Sequence, residues 1–298
     1  MDFSEFAHKL GQSILGALYK GLYGVCESLY DGMFSILDAR IIESSNMLQK
    51  TPEAWNSAAY QTVKSIAENV FVPMASVFIA CILVWELVHL LQESNQMGGQ
   101  IFEKLIVLLI TCGICVFLCS HSFDIVMWFF ELGGKATGEI AHTSWSESFN
   151  RELDFENFLP KEPTTGYDAR MIFELMGDMI LLFIGNIAIL ICSAIMYIRV
   201  VMWFLEFLIY VSAASIPNAT WMNREWSQVG MNYMRKMLAV AFEGPFMLLL
   251  FAIYGGVLSG ANLGDFKQSM VMIIGCGFAL IAMMFKVGNI TASIFNAH

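Results

Sequence analysis

The chain has 298 residues, of which 57% are hydrophobic and 14% are charged, whereas soluble domains average about 25% charged residues. This excess of apolar side chains excludes an ordinary soluble globular protein and predicts burial in lipid. The formal net charge of −10 argues against a basic surface that grips nucleic acid, because such surfaces need clustered Lys and Arg. We therefore expect an all-α, polytopic membrane protein with five or six transmembrane helices and an N-terminal amphipathic helix.

Residues 1–69 are predicted to form amphipathic helices that do not cross the membrane. Between residues 1 and 45, apolar side chains recur every three or four positions from Leu10 to Ile36, but charged side chains interrupt the run. We expect this helix to lie on the membrane surface or to pack on a partner helix. Thr51 and Pro52 then predict a new helix, with Thr as the N-cap and Pro at the first helical position.

Residues 70–132 are predicted to form a transmembrane hairpin. The first span covers residues 70–91, a polar turn covers residues 92–100, and the second span starts at about Phe102 and is apolar to Cys119. The second run continues toward Leu132 as one long or kinked helix. Residues 133–170 follow as a long polar loop, which is typical of a functional or disordered segment.

Residues 171–298 are predicted to form a four-span membrane region with a polar connector at residues 217–236. The predicted spans cover residues 171–197, 199–216, 237–258 and 270–285. Pro217 ends the helix before the connector. With six spans, the excess of Lys and Arg on one side would place the N-terminus in the cytoplasm.

Several ionisable residues lie inside these apolar runs. Arg199, Trp203, Glu206 and Tyr210 share one helix face, and Asp178 and Glu243 lie in neighbouring spans. Because ionisable groups in lipid cost several kcal/mol, each needs a partner, a water-filled cavity or a functional role. Two interpretations stay open: acids satisfied within one subunit, or acids at a subunit interface or along a water-filled path. Arg199 and Glu206 are about 10 Å apart along the helix axis, which is too far for a direct pair.

The connector carries a second group of candidate contact residues: Trp221, Arg224, Glu225 and Trp226. Trp is enriched at membrane boundaries, and the fork of Arg can bind a carboxylate through two hydrogen bonds. We expect Arg224 and Glu225 to be exposed and to meet a second subunit. The alternative is that Arg224 only anchors the helix at the lipid headgroups.

Three cysteines, Cys112, Cys115 and Cys119, share one face of the second span and could suggest a metal or redox site. Their neighbours are apolar, whereas reactive thiolates need polar or cationic surroundings. We interpret them as a packing face. No catalytic motif or nucleotide-binding fingerprint is present, so we expect no enzymatic activity, cofactor or metal.

Two blocks of the sequence resemble the TrbL-type conjugal transfer family, the polytopic membrane subunit of type IV secretion systems. The variant it resembles most belongs to conjugative elements of Gram-positive bacteria. The residues that carry the resemblance are Thr51-Pro52-Glu53-Ala54-Trp55-Asn56, Val72-Pro73, Trp85-Glu86-Leu87, the run 204–210, Ile216-Pro217, Asn223-Arg224-Glu225-Trp226 and the run 228–233.

The resemblance implies a channel or scaffold subunit that assists DNA or protein translocation across the bacterial cytoplasmic membrane. It implies a homo-oligomer in the lipid bilayer, energised by separate ATPases and joined by other secretion membrane subunits, with the translocated DNA at most a transient partner. It also points to an exposed central loop outside the cytoplasm, against the orientation given by the basic residues. The alternative function is a small secondary transporter or permease that uses its intramembrane acids, although we find no internal repeat.

Overall fold

The computed structural model describes residues 3–97, 101–141, 155–159, 161, 163, 167–223, 225–260 and 266–297. Within those residues the chain forms helices and turns without any β-strand, which confirms the predicted all-α fold. The α-helices are α1 (Phe3–Leu48), α2 (Pro52–Trp55), α3 (Ser57–Ile66), α4 (Val72–Met97), α5 (Ile101–Ser120), α6 (Ser122–Ala141), α7 (Ala169–Ser212), α8 (Ser215–Ala219), α9 (Ser227–Gly260) and α10 (Phe266–Ile294).

Five helical stretches in the described part of the chain are long and apolar enough to cross a membrane. They are Ser57–Gln92, Phe102–Ser120, Ala169–Met222, Ser227–Leu258 and Phe266–Ile294. The prediction of five or six transmembrane helices is therefore confirmed. Judged by length and composition, the described residues contain five candidate spans.

The sequence-based prediction of separate third and fourth spans is wrong, because both lie in the single helix α7. Residues 171–298 therefore hold three candidate spans and not four. Arg199, which the sequence places between the two predicted spans, is buried within α7. Its Nε donates a hydrogen bond to the carbonyl oxygen of Met284 in α10 at 3.3 Å. Helix α10 thus provides a hydrogen-bond acceptor for the guanidinium of Arg199. As a result, α7 continues through this position.

The start of the first span follows local capping rules. Thr51 Oγ1 accepts a hydrogen bond from Ala54 N at 3.2 Å and Pro52 begins α2, as predicted. Asn56 then caps α3, and the π-helical turn Ala67–Phe71 joins α3 to α4. Pro73 cannot donate a backbone hydrogen bond, and this wider turn lies directly before it. The apolar stretch consequently begins at Ser57 and not at residue 70.

The predicted polar loop at residues 133–170 is wrong over its first nine residues, because α6 continues to Ala141. Gly133 and Thr137 extend a buried seam that starts with Phe123, Val126 and Phe130. Residues 142–154, in the middle of that loop, lie outside the described part of the chain. Apart from these corrections, the division of the chain into four segments stays a prediction.

The residues group into two compact units. The first contains α1 up to Ser45, α7 up to Arg199, α9 from Leu249 and α10 up to Phe285. Its core includes a seam of α1 together with Phe155, whose ring lies 5.2 Å from the ring of Tyr23 and 5.7 Å from that of Phe266. Part of the predicted loop is therefore anchored in a core of aromatic side chains.

The second unit contains α2 to α6, α7 from Val200, α8, α9 up to Leu248 and the end of α10. Phe130 of α6 packs on Trp203 and Phe207 of α7, with ring centroids 5.1 and 4.5 Å apart. Pro245 lies inside α9 and cannot donate to the carbonyl oxygen of Ala241 four residues earlier. Gly133 lies against that same carbonyl, so α6 approaches α9 where a Cβ atom would not fit.

Candidate functional site

The connector between α7 and α9 is folded and largely buried. After α7 ends at Ser212, a turn leads into the short helix α8 and then into the 3₁₀ turn Thr220–Met222. Ser215, Asn218 and Met222 are buried, and α9 begins at Ser227. Helix α7 therefore ends at Ser212, five residues before Pro217, which was predicted to end it. Pro217 instead lies inside α8. The second half of the predicted connector is the first part of α9.

Asn223 is the polar centre of this connector. Its Nδ2 donates to Glu86 Oε1 of α4 at 2.8 Å, and its Oδ1 accepts from the backbone N–H groups of Glu225 and Trp226 at 2.8 and 3.0 Å. The side chain is only 3% exposed. A single amide group thus shapes the turn before α9 and ties it to the first candidate span. In the sequence, Asn223 and Glu86 stand out only as part of the family resemblance, and their contact is not evident from it.

Thr220 and Trp221 hold the start of α9 against α8. Thr220 Oγ1 donates to Pro217 O at 2.7 Å and accepts from Gly230 N at 3.1 Å. The Trp221 ring lies so close to Gly230 that a Cβ atom there would overlap it. Further along α9, the hydroxyl of Tyr233 donates to Tyr210 O of α7 at 2.7 Å. These contacts hold the connector and the start of α9 against the end of α7.

The hairpin of α4 and α5 packs directly on this connector. An apolar cluster joins Ala75, Ile79 and Ile82 of α4, Cys115 and Cys119 of α5, and Ala219 and Met222 of the connector. Cys119 Sγ lies 3.3 Å from Ser215 O. Among the described residues, no group of three or more His, Cys, Asp or Glu residues could hold a metal ion. The place of Cys115 and Cys119 in the structure is therefore a packing contact.

An apolar groove of about 380 Å³ lies beside Asn223. It is lined by Val77, Phe78, Cys81, Ile82, Trp85, Asn223 and Trp226. Of the four predicted contact residues, Glu225 is exposed and Trp226 is 53% exposed, so both reach the surface. Trp221 is half-buried, and Arg224 lies outside the described residues.

The buried charged residues contact neighbouring helices. Asp178 is 6% exposed, and its Oδ1 lies 3.9 Å from Lys267 Nζ of α10. Glu243 is 1% exposed and its carboxylate lies against Gly288 of α10, where a Cβ atom would be 2.8 Å from Oε1. Each acid is thus enclosed by a second helix of its own unit.

The predicted face of α7 is only partly buried. Trp203 is buried, and its Nε1 donates to Val240 O of α9 at 2.7 Å. Glu206 and Tyr210 are half-buried, and the cation of Lys236 lies 6.0 Å from the centre of the Tyr210 ring. The structure brings Trp221, Glu225 and Trp226 together at the connector.

The geometry is that of helix-to-helix contacts around a rigid connector in a chain with several membrane-crossing helices. A family model described as TrbL/VirB6 plasmid conjugal transfer like protein matches residues 37–215, more than half of the chain. The chain belongs to this TrbL/VirB6 conjugal transfer family. It is thus a multi-pass membrane protein of a conjugal transfer system that includes other subunits. The match ends within α8, so most of the connector lies beyond it.

Neither a curated protein nor a solved structure matches the chain. The family assignment consequently rests on the family model, together with the membrane-length helices.

Proposed function

We propose that this protein is an integral membrane channel or scaffold subunit of a conjugative type IV secretion system, and that it assists DNA or protein translocation across the bacterial cytoplasmic membrane. The observation that carries the proposal is the family match over residues 37–215, which include α2 to α7. The placement of the polar groups supports it, because Arg199, Asp178 and Glu243 contact neighbouring helices. Such groups hold helices together in a membrane, and we assign them no catalytic role.

The proposed assembly is a homo-oligomer that works with other secretion membrane subunits and with separate ATPases. We place it in the membrane of a Gram-positive bacterium, with DNA as a transient partner at most. The net charge of −10 supports that limit on DNA contact. Deletion of the gene should abolish transfer, complementation should restore it, and crosslinking in membranes should join copies of the chain. Normal transfer by the deletion strain would contradict the proposal.

We assign the contact with a neighbouring subunit to the connector. Glu225 and Trp226 are exposed beside a turn that Asn223 holds in place, and Arg224 lies between Asn223 and Glu225 in the chain. A rigid surface with an exposed aromatic side chain is typical of the anchors that dominate binding energy at protein interfaces. A bidentate Arg contact would not be reproduced by Lys, whereas a headgroup anchor would.

Arg224→Lys tests this assignment, with Lys236→Arg in the first part of α9 as the control. We expect Arg224→Lys to accumulate in the membrane at wild-type levels but to transfer DNA at least tenfold less often. Lys236→Arg keeps a cation near Tyr210 and should be silent. Conjugation frequency and membrane level are measured together. Wild-type transfer by Arg224→Lys would leave the connector as an anchor and shift the assignment to Glu206 and Glu243.

The second candidate function, a small secondary transporter, is favoured only by the buried acids Asp178 and Glu243. An ion-coupled transporter needs such an acid to change its protonation during transport. Replacing either acid by its amide would then abolish function, whereas a structural acid tolerates Gln or Asn because the shape is kept. We expect Glu243→Gln to transfer DNA within a few-fold of wild type.

A further inference from the structure

The apolar groove beside Asn223 runs along α4, a helix of the first candidate membrane span. The lining side chains that α4 supplies are Val77, Phe78, Cys81, Ile82 and Trp85. The last four follow the i, i+3, i+4, i+7 spacing of one helix face. Residues 72–85 contain no charged side chain and lie within the span Ser57–Gln92. We therefore place this face of α4 at the depth of the hydrocarbon region.

The groove has a buried base and exposed aromatic sides. Ile82 is 4% exposed and belongs to the apolar cluster that joins α4 and α5 to the connector. Trp85 of α4 and Trp226 of the connector line the groove from two different elements. Their side chains are 59% and 53% exposed. The groove is thus open to the surroundings of α4, which at this depth are lipid.

One buried amide group holds both tryptophans in place. Asn223 Oδ1 accepts a hydrogen bond from Trp226 N, and Asn223 Nδ2 donates to Glu86, which follows Trp85 in α4. The two sides of the groove are therefore linked through Asn223. A site that is formed before its ligand arrives binds with a smaller loss of conformational entropy.

The dimensions of the groove match a single hydrocarbon chain. From Val77 to Trp85 the helix advances about 12 Å, and the hydrocarbon layer of one leaflet is about 15 Å thick. The groove volume of about 380 Å³ lies within the range of small-molecule sites, about 300–1,000 Å³. An α-helix with its side chains is about 10–12 Å wide, so a helical segment of the same length needs more than twice that volume. The groove accepts a chain rather than a helix.

We propose that this groove binds one acyl chain of a membrane phospholipid between α4 and Trp226. The described residues that line it carry no charge, so the groove recognises the hydrocarbon chain and not the headgroup. A chain in the groove gains dispersion contacts on several sides, whereas a chain on a convex helix surface gains them on one side only. Trp85 and Trp226 are of the residue type enriched near the headgroups. The proposal does not depend on the conjugal role of the protein.

Photocrosslinking of the wild-type chain in lipid nanodiscs tests the site. The probe is a phosphatidylglycerol with a diazirine in one acyl chain, diluted in ordinary phosphatidylglycerol, and the adducts are mapped by mass spectrometry. We expect adducts on the residues that line the groove at least fivefold more often than on Val84. This residue is 61% exposed on α4 but does not line the groove. Equal labelling of the groove and of Val84 would show ordinary lipid contact only and would overturn the proposal.

Two tryptophan substitutions on α4 form a matched pair. Cys81→Trp fills the groove, whereas Val84→Trp adds the same side chain on an exposed position outside it. We expect Cys81→Trp to lose the groove adducts and one phospholipid per chain in native mass spectra, and Val84→Trp to keep both. Equal lipid retention by the two variants would overturn the proposal. If Cys81→Trp does not accumulate, the wild-type adduct map decides.

Cys81 also tests a second copy of the chain as the occupant. All seven cysteines belong to the described residues, and Cys81 alone among them is exposed. We expect a short bis-maleimide to leave wild-type chains unjoined at Cys81 in membranes. Crosslinking of two wild-type chains that is lost in Cys81→Ser would place another copy at the groove and overturn the assignment to lipid.

Discussion

At the scale of single residues, the contact between Asn223 and Glu86 gives the sharpest test of the connector. Asn223 donates to a carboxylate and accepts from two backbone N–H groups. Asn223→Asp keeps the two accepting contacts but places a second carboxylate beside Glu86. We expect reduced thermal stability in detergent and reduced conjugation, because a hydrogen bond to a charged group contributes about 1.5–3 kcal/mol and here repulsion replaces it.

The double variant Asn223→Asp/Glu86→Gln is the matched control. The new amide at position 86 can donate to the new carboxylate at position 223, so the contact is restored with donor and acceptor exchanged. We expect recovery of most of the lost stability, measured as the melting temperature of the purified protein. An equally unstable double variant would show that Asn223 acts only through the turn before α9.

At the scale of helices, the close approach of α6 and α9 depends on one glycine. A Cβ atom at Gly133 would collide with the backbone of Ala241, whereas one at Gly134 meets nothing within 4 Å. We expect Gly133→Ala to destabilise the protein by about 1–3 kcal/mol, as overpacking does. Gly134→Ala should be neutral or slightly stabilising, because Ala has the higher helix propensity.

Melting temperatures of the two purified variants check this prediction, since they differ only in which neighbouring residue carries the added methyl group. Similar loss of stability in both variants would contradict the packing of α6 on α9. A Gly134→Ala variant that is stable but transfers poorly would instead indicate that Gly134 contacts another copy of the chain.

The continuity of α7 gives another prediction at this scale. Ile198 is 52% exposed in the interior of the helix, directly before Arg199. Ile198→Pro would remove a helical hydrogen bond and should cost about 3 kcal/mol or more, whereas Ile198→Ala should be nearly silent. If two spans met in a turn at this point, the proline variant would be tolerated. Membrane level and melting temperature distinguish these outcomes.

The elements that sequence analysis predicted correctly are those set by local interactions. Thr51 and Pro52 define a helix start within four residues, and the apolar run after Phe102 is long enough to identify a span without its partners. The wrong predictions concern positions whose structure depends on a contact with a residue far away in the sequence. Arg199 interrupts an apolar run, and its contact with Met284 of α10, which lies far away in the sequence, stabilises it inside the continuous helix α7.

The candidate site was harder to predict for the same reason. Trp221, Glu225 and Trp226 stand out because aromatic and charged side chains cluster at the end of an apolar run. Asn223 and Glu86 lie 137 positions apart, and their hydrogen bond depends on the packing of α4 against the connector. A single sequence contains no signal for that pairing.

At the scale of the whole molecule, the continuity of α7 changes the side of the membrane on which the C-terminus lies. Six spans would place both termini on one side, as the count of basic residues assumed. The five candidate spans give an odd number of crossings. We therefore expect the N-terminus and the C-terminus on opposite sides. Epitope tags at the two ends, probed with protease in intact and permeabilised cells, should lose protection under different conditions. Two tags accessible from the same side would mean that α7 crosses twice or that another described helix does not cross.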